Sequence, residues 1–113
     1  MLQATVVIST CNRVEQLHQC LLALERQTLL KSDFEVIIVD DGSQDNTGPF
    51  IDAFMRESDI HLKYYYQKNR GPASARNIGI SQAESDYVAF TDDDCVPESY
   101  WLENLLNQIS NDS

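Results

Sequence analysis

Short apolar runs rich in β-branched or aromatic residues alternate along the chain with segments of helical hydrophobic spacing. This alternation is typical of βα units, in which helices connect parallel strands. The predicted strands cover residues 4–9 (ATVVIS), 34–40 (FEVIIVD), 61–66 (HLKYYY) and 86–90 (DYVAF). We therefore predict an α/β fold with a mainly parallel four-stranded sheet flanked by helices.

Apolar residues between and after these strands have the spacing of amphipathic helices. Asn12, with Glu15 three residues later, resembles a capping box that starts the first helix, which we expect to end near Gln27. The apolar positions of this helix are Val14, Leu17, Leu21 and Leu24. In the helix after the second strand, the apolar positions are Phe50, Ile51, Phe54 and Met55. In the helix after the fourth strand, they are Trp101, Leu102, Leu105, Leu106 and Ile109.

Length and charge narrow the class of protein. The 113 residues fit a single domain, residues 1–113, with its own core. The net charge of −10 repels polyanions, so we expect no nucleic-acid partner. The three cysteines lack CxxC spacing and indicate neither a disulfide framework nor a thiolate zinc site. No secretory signal or apolar run of membrane-spanning length is present, so we expect a cytosolic chain without a membrane span.

Polar residues follow each predicted strand, where open α/β sheets bind their ligands. They are Ser9, Thr10, Cys11 and Asn12 after the first strand, residues 40–43 after the second, 67–76 after the third and 92–94 after the fourth.

Three consecutive aspartates follow the fourth strand. Asp92 and Asp94 project to the same side if the segment is extended, and their carboxylates are the hard oxygen ligands that Mg²⁺ and Mn²⁺ prefer. A cation between them would remove the repulsion of neighbouring charges. The alternative is a solvated turn or a helix N-cap without a metal.

Two other segments suggest contacts with a nucleotide. Asp41 would accept a hydrogen bond from a ring N–H of a uracil-like base, or else it is a turn residue before Gly42. Residues 69–79 (NRGPASARNIG) begin a helix whose free N–H groups attract phosphate, and Arg76 adds a guanidinium. The alternative for Arg76 is an ion pair with the acidic cluster.

The segments VVISTCNR, VIIVDDGSQDNT, NRGPASARNIG and FTDDDCVP, in this order and at these spacings, resemble the nucleotide-binding half of family 2 glycosyltransferases of the GT-A fold. The resemblance covers nearly the whole chain and implies a Rossmann-like domain that binds a nucleotide sugar, most often a UDP-sugar, with Mn²⁺ or Mg²⁺. It also implies inverting transfer to an acceptor hydroxyl of a glycan, lipid or protein in the intact enzyme.

The resemblance also implies roles for residues at the strand ends. Asp41 would contact the uracil edge, Arg76 would lie near the base or diphosphate, and Asp94 would bind the metal together with Asp92. The remaining residues implied to contact the base, ribose or sugar are Ser9, Thr10, Cys11, Asn12, Asp92 and Asp93. Two positions depart from the family pattern, because Cys11 replaces a common tyrosine and Cys95 replaces an acid found in many members.

Family members continue with an acceptor-binding half that carries the catalytic base, and that half is not part of these 113 residues. We therefore expect a donor-binding fragment that binds nucleotide but transfers sugar poorly by itself, from an enzyme of the cytoplasm or of the cytoplasmic face of a membrane. A sheet that ends at its fourth strand would leave an apolar edge uncovered, which predicts self-association.

Two alternatives remain from the sequence. One is a nucleotide-binding module without catalysis. The other is a phosphorelay receiver domain, which has an aspartate pair after its first strand and a late lysine, whereas here the pair follows the second strand and the last lysine is Lys68.

Overall fold

The computed structural model of the protein describes residues 2–111. Its strands are β1 (Ala4–Thr10), β2 (Phe34–Asp41), β3 (His61–Gln67) and β4 (Val88–Asp92). Its helices are α1 (Val14–Glu25), α2 (Thr47–Glu57), α3 (Pro72–Gln82) and α4 (Trp101–Asn111), and a 3₁₀ turn at Lys31–Asp33 precedes β2. Within this part of the chain, no helix has both the length and the apolar character needed to cross a membrane.

The strands form one parallel sheet in the order β3-β2-β1-β4, which confirms the predicted α/β architecture. Their register aligns the carboxyl ends at one edge, with Ser9 opposite Asp92 and Thr10 opposite Asp40. The polar segments that the sequence places after each strand are therefore neighbours in space.

Helices cover the two faces of the sheet unequally. On one face, α1, α2 and α4 pack in a core that includes Leu21, Ile51 and Leu102. On the other face, Ala75 of α3 packs against Val7 and neighbouring residues of β2. Right-handed crossovers explain this division. The connections through α1 and α2 lead along the sheet from β1 to β3, whereas the connection through α3 leads back from β3 to β4, so α3 lies on the opposite face. The reversal lies between β1 and β4, the position where such sheets bind ligands.

Two predictions of local structure are wrong, the bounds of the fourth strand and the capping box of the first helix. The fourth strand was expected at residues 86–90 but covers Val88–Asp92, because Asp86 lies in a bend and pairing with β1 continues to the Ser9–Asp92 register. The capping box also does not form. Arg13 precedes α1 without a side-chain cap, and the Asn12 side chain binds a neighbouring loop instead.

Candidate functional site

The three consecutive aspartates at the end of β4 have different environments. Asp93 is buried, and its Oδ2 accepts a hydrogen bond from the Thr10 hydroxyl at 2.8 Å. The Arg13 guanidinium lies 3.4 Å from Asp93 Oδ1 and 3.5 Å from Asp94 Oδ2. Asp92 and Asp94 are exposed. The middle carboxylate therefore anchors the turn to β1, and the outer two are accessible to a ligand.

The exposed carboxylates fit a divalent cation. One ligand atom from each of Asp92, Asp94 and Cys95 lies within 4.8 Å of the other two. A hydrogen bond of 3.1 Å from the Cys95 amide to the Asp92 carbonyl closes the turn that brings them together. Two carboxylates suit Mn²⁺ or Mg²⁺, and their exposure leaves room for phosphate oxygens and water. The donor set is thus compatible with the predicted metal.

Asp41 fixes the loop between β3 and α3. Its Oδ1 accepts hydrogen bonds from the Arg70 amide at 2.7 Å and the Gln67 side chain at 2.9 Å, and its Oδ2 accepts one from the Gly71 amide at 3.0 Å. The Arg70 amide is the main cause that holds the pKa of Asp41 below its ordinary value, so the carboxylate is charged at neutral pH. Oδ2 accepts this one hydrogen bond among the described residues and can accept another.

The turn after β2 depends on a glycine and a buried acid. Gly42 has φ +92, a left-handed conformation that favours glycine, and a Cβ there would lie 2.6 Å from Asn69 Oδ1. Asp40 is buried and accepts hydrogen bonds from the Ser43 amide at 2.9 Å and the Tyr64 hydroxyl at 2.6 Å. Burial is the main cause that raises the pKa of Tyr64, and the hydrogen bond to the Asp40 carboxylate raises it further. Asp40 therefore stabilises the turn from within the protein.

Asn12 joins the loop after β1 to the loop after β2. It has φ 55, its Oδ1 accepts hydrogen bonds from the Gln44 and Asp45 amides at 2.7 and 3.3 Å, and its amide donates to Ser43 Oγ at 2.9 Å. Cys11 beside it is exposed, and partial burial together with nearby aspartates raises the pKa of its thiol. The thiol is therefore neutral at neutral pH and is not activated as a nucleophile.

The start of α3 follows the predicted pattern in part. Gly71 has φ +88 and Pro72 occupies the first turn of the helix. The amides of Arg70 and Gly71 point to Asp41 rather than to an open phosphate site. Arg76 is exposed on α3.

Arg13, rather than Arg76, is the cation beside the acidic cluster. Across residues 2–111, Arg13 makes both ion pairs to Asp93 and Asp94, so the alternative that pairs Arg76 with this cluster is wrong. One signal for Arg13 is present in the sequence, its position directly after the polar end of β1. Its partners lie about 80 residues further along the chain, and the local pattern did not identify them.

Comparison with known proteins identifies the family. Residues 5–113 match the model of glycosyl transferase family 2. The chain is 38% identical over 106 residues to glycosyltransferase AglE of Haloferax volcanii, covering 94% of this chain and 35% of that protein. It is 33% identical over 108 residues to the poly(ribitol-phosphate) β-N-acetylglucosaminyltransferase TarP of Staphylococcus aureus, covering 95% of this chain and 33% of TarP.

Solved structures share the fold. S. aureus TarS 1–349 in complex with UDP-GlcNAc has a TM-score of 0.88 at 28% identity, over 97% of this chain and 32% of TarS 1–349. The mannosyltransferase PcManGT of Pyrobaculum calidifontis, in complex with GDP-Man and Mn²⁺, has a TM-score of 0.83 at 25% identity, over 95% of this chain and 31% of that one.

The 113 residues span about a third of the length of these relatives. The match covers the carboxyl ends of all four strands, which sets aside the receiver-domain alternative. The chain belongs to glycosyl transferase family 2 and has the GT-A fold.

Proposed function

We propose that this domain binds a UDP-sugar through Mn²⁺ or Mg²⁺, as the donor half of an inverting glycosyltransferase. The observation that carries the proposal is the pair of exposed carboxylates, Asp92 and Asp94, at the reversal point between β1 and β4. The relatives support it, because one binds UDP-GlcNAc and another binds GDP-Man with Mn²⁺.

Asp94 and Asp92 would hold the cation, and Asp93 would keep their turn in place through Thr10. The cation, when bound, neutralises the diphosphate and stabilises it as a leaving group. A local positive charge is needed here because the chain as a whole carries a net charge of −10, which repels an anionic donor.

Asp41 would read the base. Its fixed, ionised carboxylate accepts hydrogen bonds only, so it suits the ring N–H of uracil and opposes the unprotonated ring nitrogen that cytosine offers at the same position. Ser9, Cys11 and Asn12 would border the base and ribose, and Thr10, buried with its hydroxyl on Asp93, would support them from within the protein. Cys11 offers a small contact there in place of an aromatic ring.

Arg76 would lie near the base or the diphosphate. It is exposed on α3, and no residue within 2–111 pairs with its guanidinium, so it is free to bind a phosphate. A planar guanidinium binds phosphate oxygens in pairs, which a lysine does not.

Acceptor binding and the catalytic base would belong to the remaining two thirds of a full-length protein, as the relative lengths suggest. An inverting reaction needs that base to remove the proton of an acceptor hydroxyl as it attacks the anomeric carbon. We therefore propose that the 113-residue chain binds its donor and transfers little or no sugar alone.

The test is a calorimetric titration of UDP and of CDP into the chain, with and without Mn²⁺. The variants are Asp94→Ala, Asp41→Ala and Arg76→Ala, and the matched control is Asp52→Ala, an exposed aspartate on α2. We expect Mn²⁺-dependent UDP binding that Asp94→Ala abolishes, Arg76→Ala weakens and Asp52→Ala leaves unchanged.

We expect wild type to prefer UDP over CDP and Asp41→Ala to lose that preference. Equal binding of UDP by wild type and Asp94→Ala would contradict the metal assignment. Absence of UDP binding by a chain whose circular dichroism shows an intact fold would contradict the proposal for this domain alone.

A further inference from the structure

Arg13 contacts two acids that differ in burial. Asp93 is buried and held by Thr10, whereas the Asp94 side chain is 53% exposed. The same guanidinium nitrogen approaches both carboxylates, at 3.4 and 3.5 Å. These distances are at or beyond the upper limit of a hydrogen bond, so the contacts are weak and easily exchanged. Asp93, held by Thr10, stays in place, whereas the exposed Asp94 is the partner that Arg13 can exchange for another anion.

Arg13 and a divalent cation would compete for Asp94. A cation on Asp94 and Asp92 would lie beside a guanidinium of like charge, and the two would repel each other. The Arg13 side chain is 53% exposed and has room to turn away from Asp94. It needs another anion to replace this partner. A diphosphate supplies such an anion, because its oxygens accept hydrogen bonds from a guanidinium in pairs.

We infer that Arg13 is a positioning residue that opposes binding of a free cation and favours a cation that arrives with a diphosphate. This inference rests on the proposed function of the site. In the ligand-free protein, Arg13 neutralises part of the repulsion among Asp92, Asp93 and Asp94. When a metal–diphosphate complex binds, Arg13 exchanges Asp94 for the phosphate. Cation binding is thereby coupled to nucleotide binding.

The experiment measures Mn²⁺ binding alone, from the loss of the electron paramagnetic resonance signal of free aqueous Mn²⁺, and then repeats it with saturating UDP. The proteins are wild type, Arg13→Gln, Arg13→Ala and Arg13→Lys. The control is Arg56→Gln, which removes the same charge from an exposed position on α2. Circular dichroism checks that each variant is folded. We expect Arg13→Ala to change the affinity for Mn²⁺ in the same direction as Arg13→Gln.

We expect Arg13→Gln to bind Mn²⁺ alone roughly 1.5- to fivefold more tightly than wild type, the range of an exposed ion pair. Arg13→Lys and Arg56→Gln should remain close to wild type. With UDP present, the gain in Arg13→Gln should disappear or reverse, because the phosphate has lost a partner. Adding Asp94→Asn to Arg13→Gln should remove the gain as well.

An Arg13→Gln protein that binds Mn²⁺ alone no more tightly than wild type overturns the inference, even if UDP binds as proposed. Tighter Mn²⁺ binding by Arg13→Gln in a chain that does not bind UDP supports the competition for Asp94 and instead contradicts the proposed nucleotide site. If Arg13→Gln binds Mn²⁺ more tightly than wild type by the same factor with and without UDP, Arg13 does not couple cation binding to nucleotide binding, and that part of the inference is overturned.

Discussion

Glu35 is a charged side chain that is fully buried in β2, at the end of the sheet opposite to the candidate site. Its Oε2 accepts hydrogen bonds from the Thr5 hydroxyl and the Glu84 amide, both at 2.7 Å. Its Oε1 lies 2.9 Å from the Lys63 ammonium, which supplies the balancing charge although no hydrogen bond of good geometry reaches that oxygen. The carboxylate thus joins β1, β2, β3 and the segment after α3.

Glu35→Gln should destabilise the fold by about 2–4 kcal/mol, because it removes the charge that balances Lys63 and weakens a buried acceptor. Burial opposes ionisation, but the Glu84 amide, Lys63 and Thr5 together hold the pKa of Glu35 below its ordinary value of 4.5. The stabilisation by the charged form is therefore complete above pH 4.5 and is lost as the pH falls through the lower folded-state pKa.

Urea unfolding of wild type and Glu35→Gln across this pH range measures the effect, with exposed Glu57→Gln as the control. The difference in stability should be largest near neutral pH and should shrink in acid. A difference that does not change with pH would show that Glu35 contributes through shape alone.

Asp41→Asn should loosen the loop between β3 and α3. An asparagine has one acceptor oxygen, so it cannot serve the amides of Arg70 and Gly71 and the Gln67 side chain together. We expect hydrogen exchange at the Arg70 and Gly71 amides to become roughly three- to tenfold faster near neutral pH.

Amide-resolved exchange by NMR measures this change, and Asp59→Asn, an exposed aspartate before β3, is the control. In wild type the protection should persist to below pH 3.8 and be lost as the pH falls further, because the folded-state pKa of Asp41 is lowered from that value. Unchanged exchange in Asp41→Asn would mean that another group holds the loop.

At the level of single residues, the sequence predicted which polar strand ends meet at one edge of the sheet but not how their side chains pair. Strand ends of a parallel sheet must meet at one edge, so Thr10, Asp41 and Asp94 could be grouped from the pattern alone. The burial of Asp93 depends on Thr10 and Arg13, which are distant in sequence. A run of like residues contains no signal for which member turns inward.

At the level of elements, α3 packs so closely on the sheet that only glycine fits at position 79. A Cβ on Gly79 would lie 2.4 Å from Val7 Cγ1 and 2.8 Å from Val7 Cγ2. Gly79→Ala should therefore destabilise the protein by about 1–3 kcal/mol through overpacking, although alanine favours a helix by roughly 1 kcal/mol.

Gly48→Ala on α2 is the matched control, because the nearest atom to its Cβ would be the Tyr64 hydroxyl at 3.8 Å. Gly48→Ala should be neutral or slightly stabilising. Adding Val7→Ala to Gly79→Ala should give a smaller loss than the sum of the single losses, as expected for residues in contact. Additive losses in urea unfolding would rule out the proposed clash.

Prediction of the elements succeeded where burial dictated the pattern. β1 and β2 are covered on both faces, so their sequences are nearly continuous apolar runs. β4 is an edge strand with partly exposed residues, and it ends in Thr91 and Asp92, whose extended conformation comes from pairing with β1. Tertiary pairing of this kind is not visible in local composition, which is why the predicted bounds of β4 were displaced by two residues.

At the level of the whole molecule, an apolar edge and a large net charge oppose each other. Tyr87 and Phe90 are 46% and 45% exposed at the β4 edge. A groove beside them, about 330 Å³ in volume, runs between β4 and α4 and is lined by Val88, Trp101 and Leu105 among others. Burial of this surface favours association with a second copy, whereas the net charge of −10 on each copy opposes it.

We therefore predict self-association that strengthens with salt, because raising the ionic strength from about 0.01 to 1 M shortens the screening length from about 30 to 3 Å. Sedimentation equilibrium should show a monomer at low salt and a rising average mass at high salt. Phe90→Glu should keep the chain monomeric at every salt concentration. Leu30→Glu, at a 67% exposed position before β2, is the control and should self-associate at high salt as wild type does. A monomer at every salt and protein concentration would contradict this prediction, and equal effects of the two variants would place the contact away from the β4 edge.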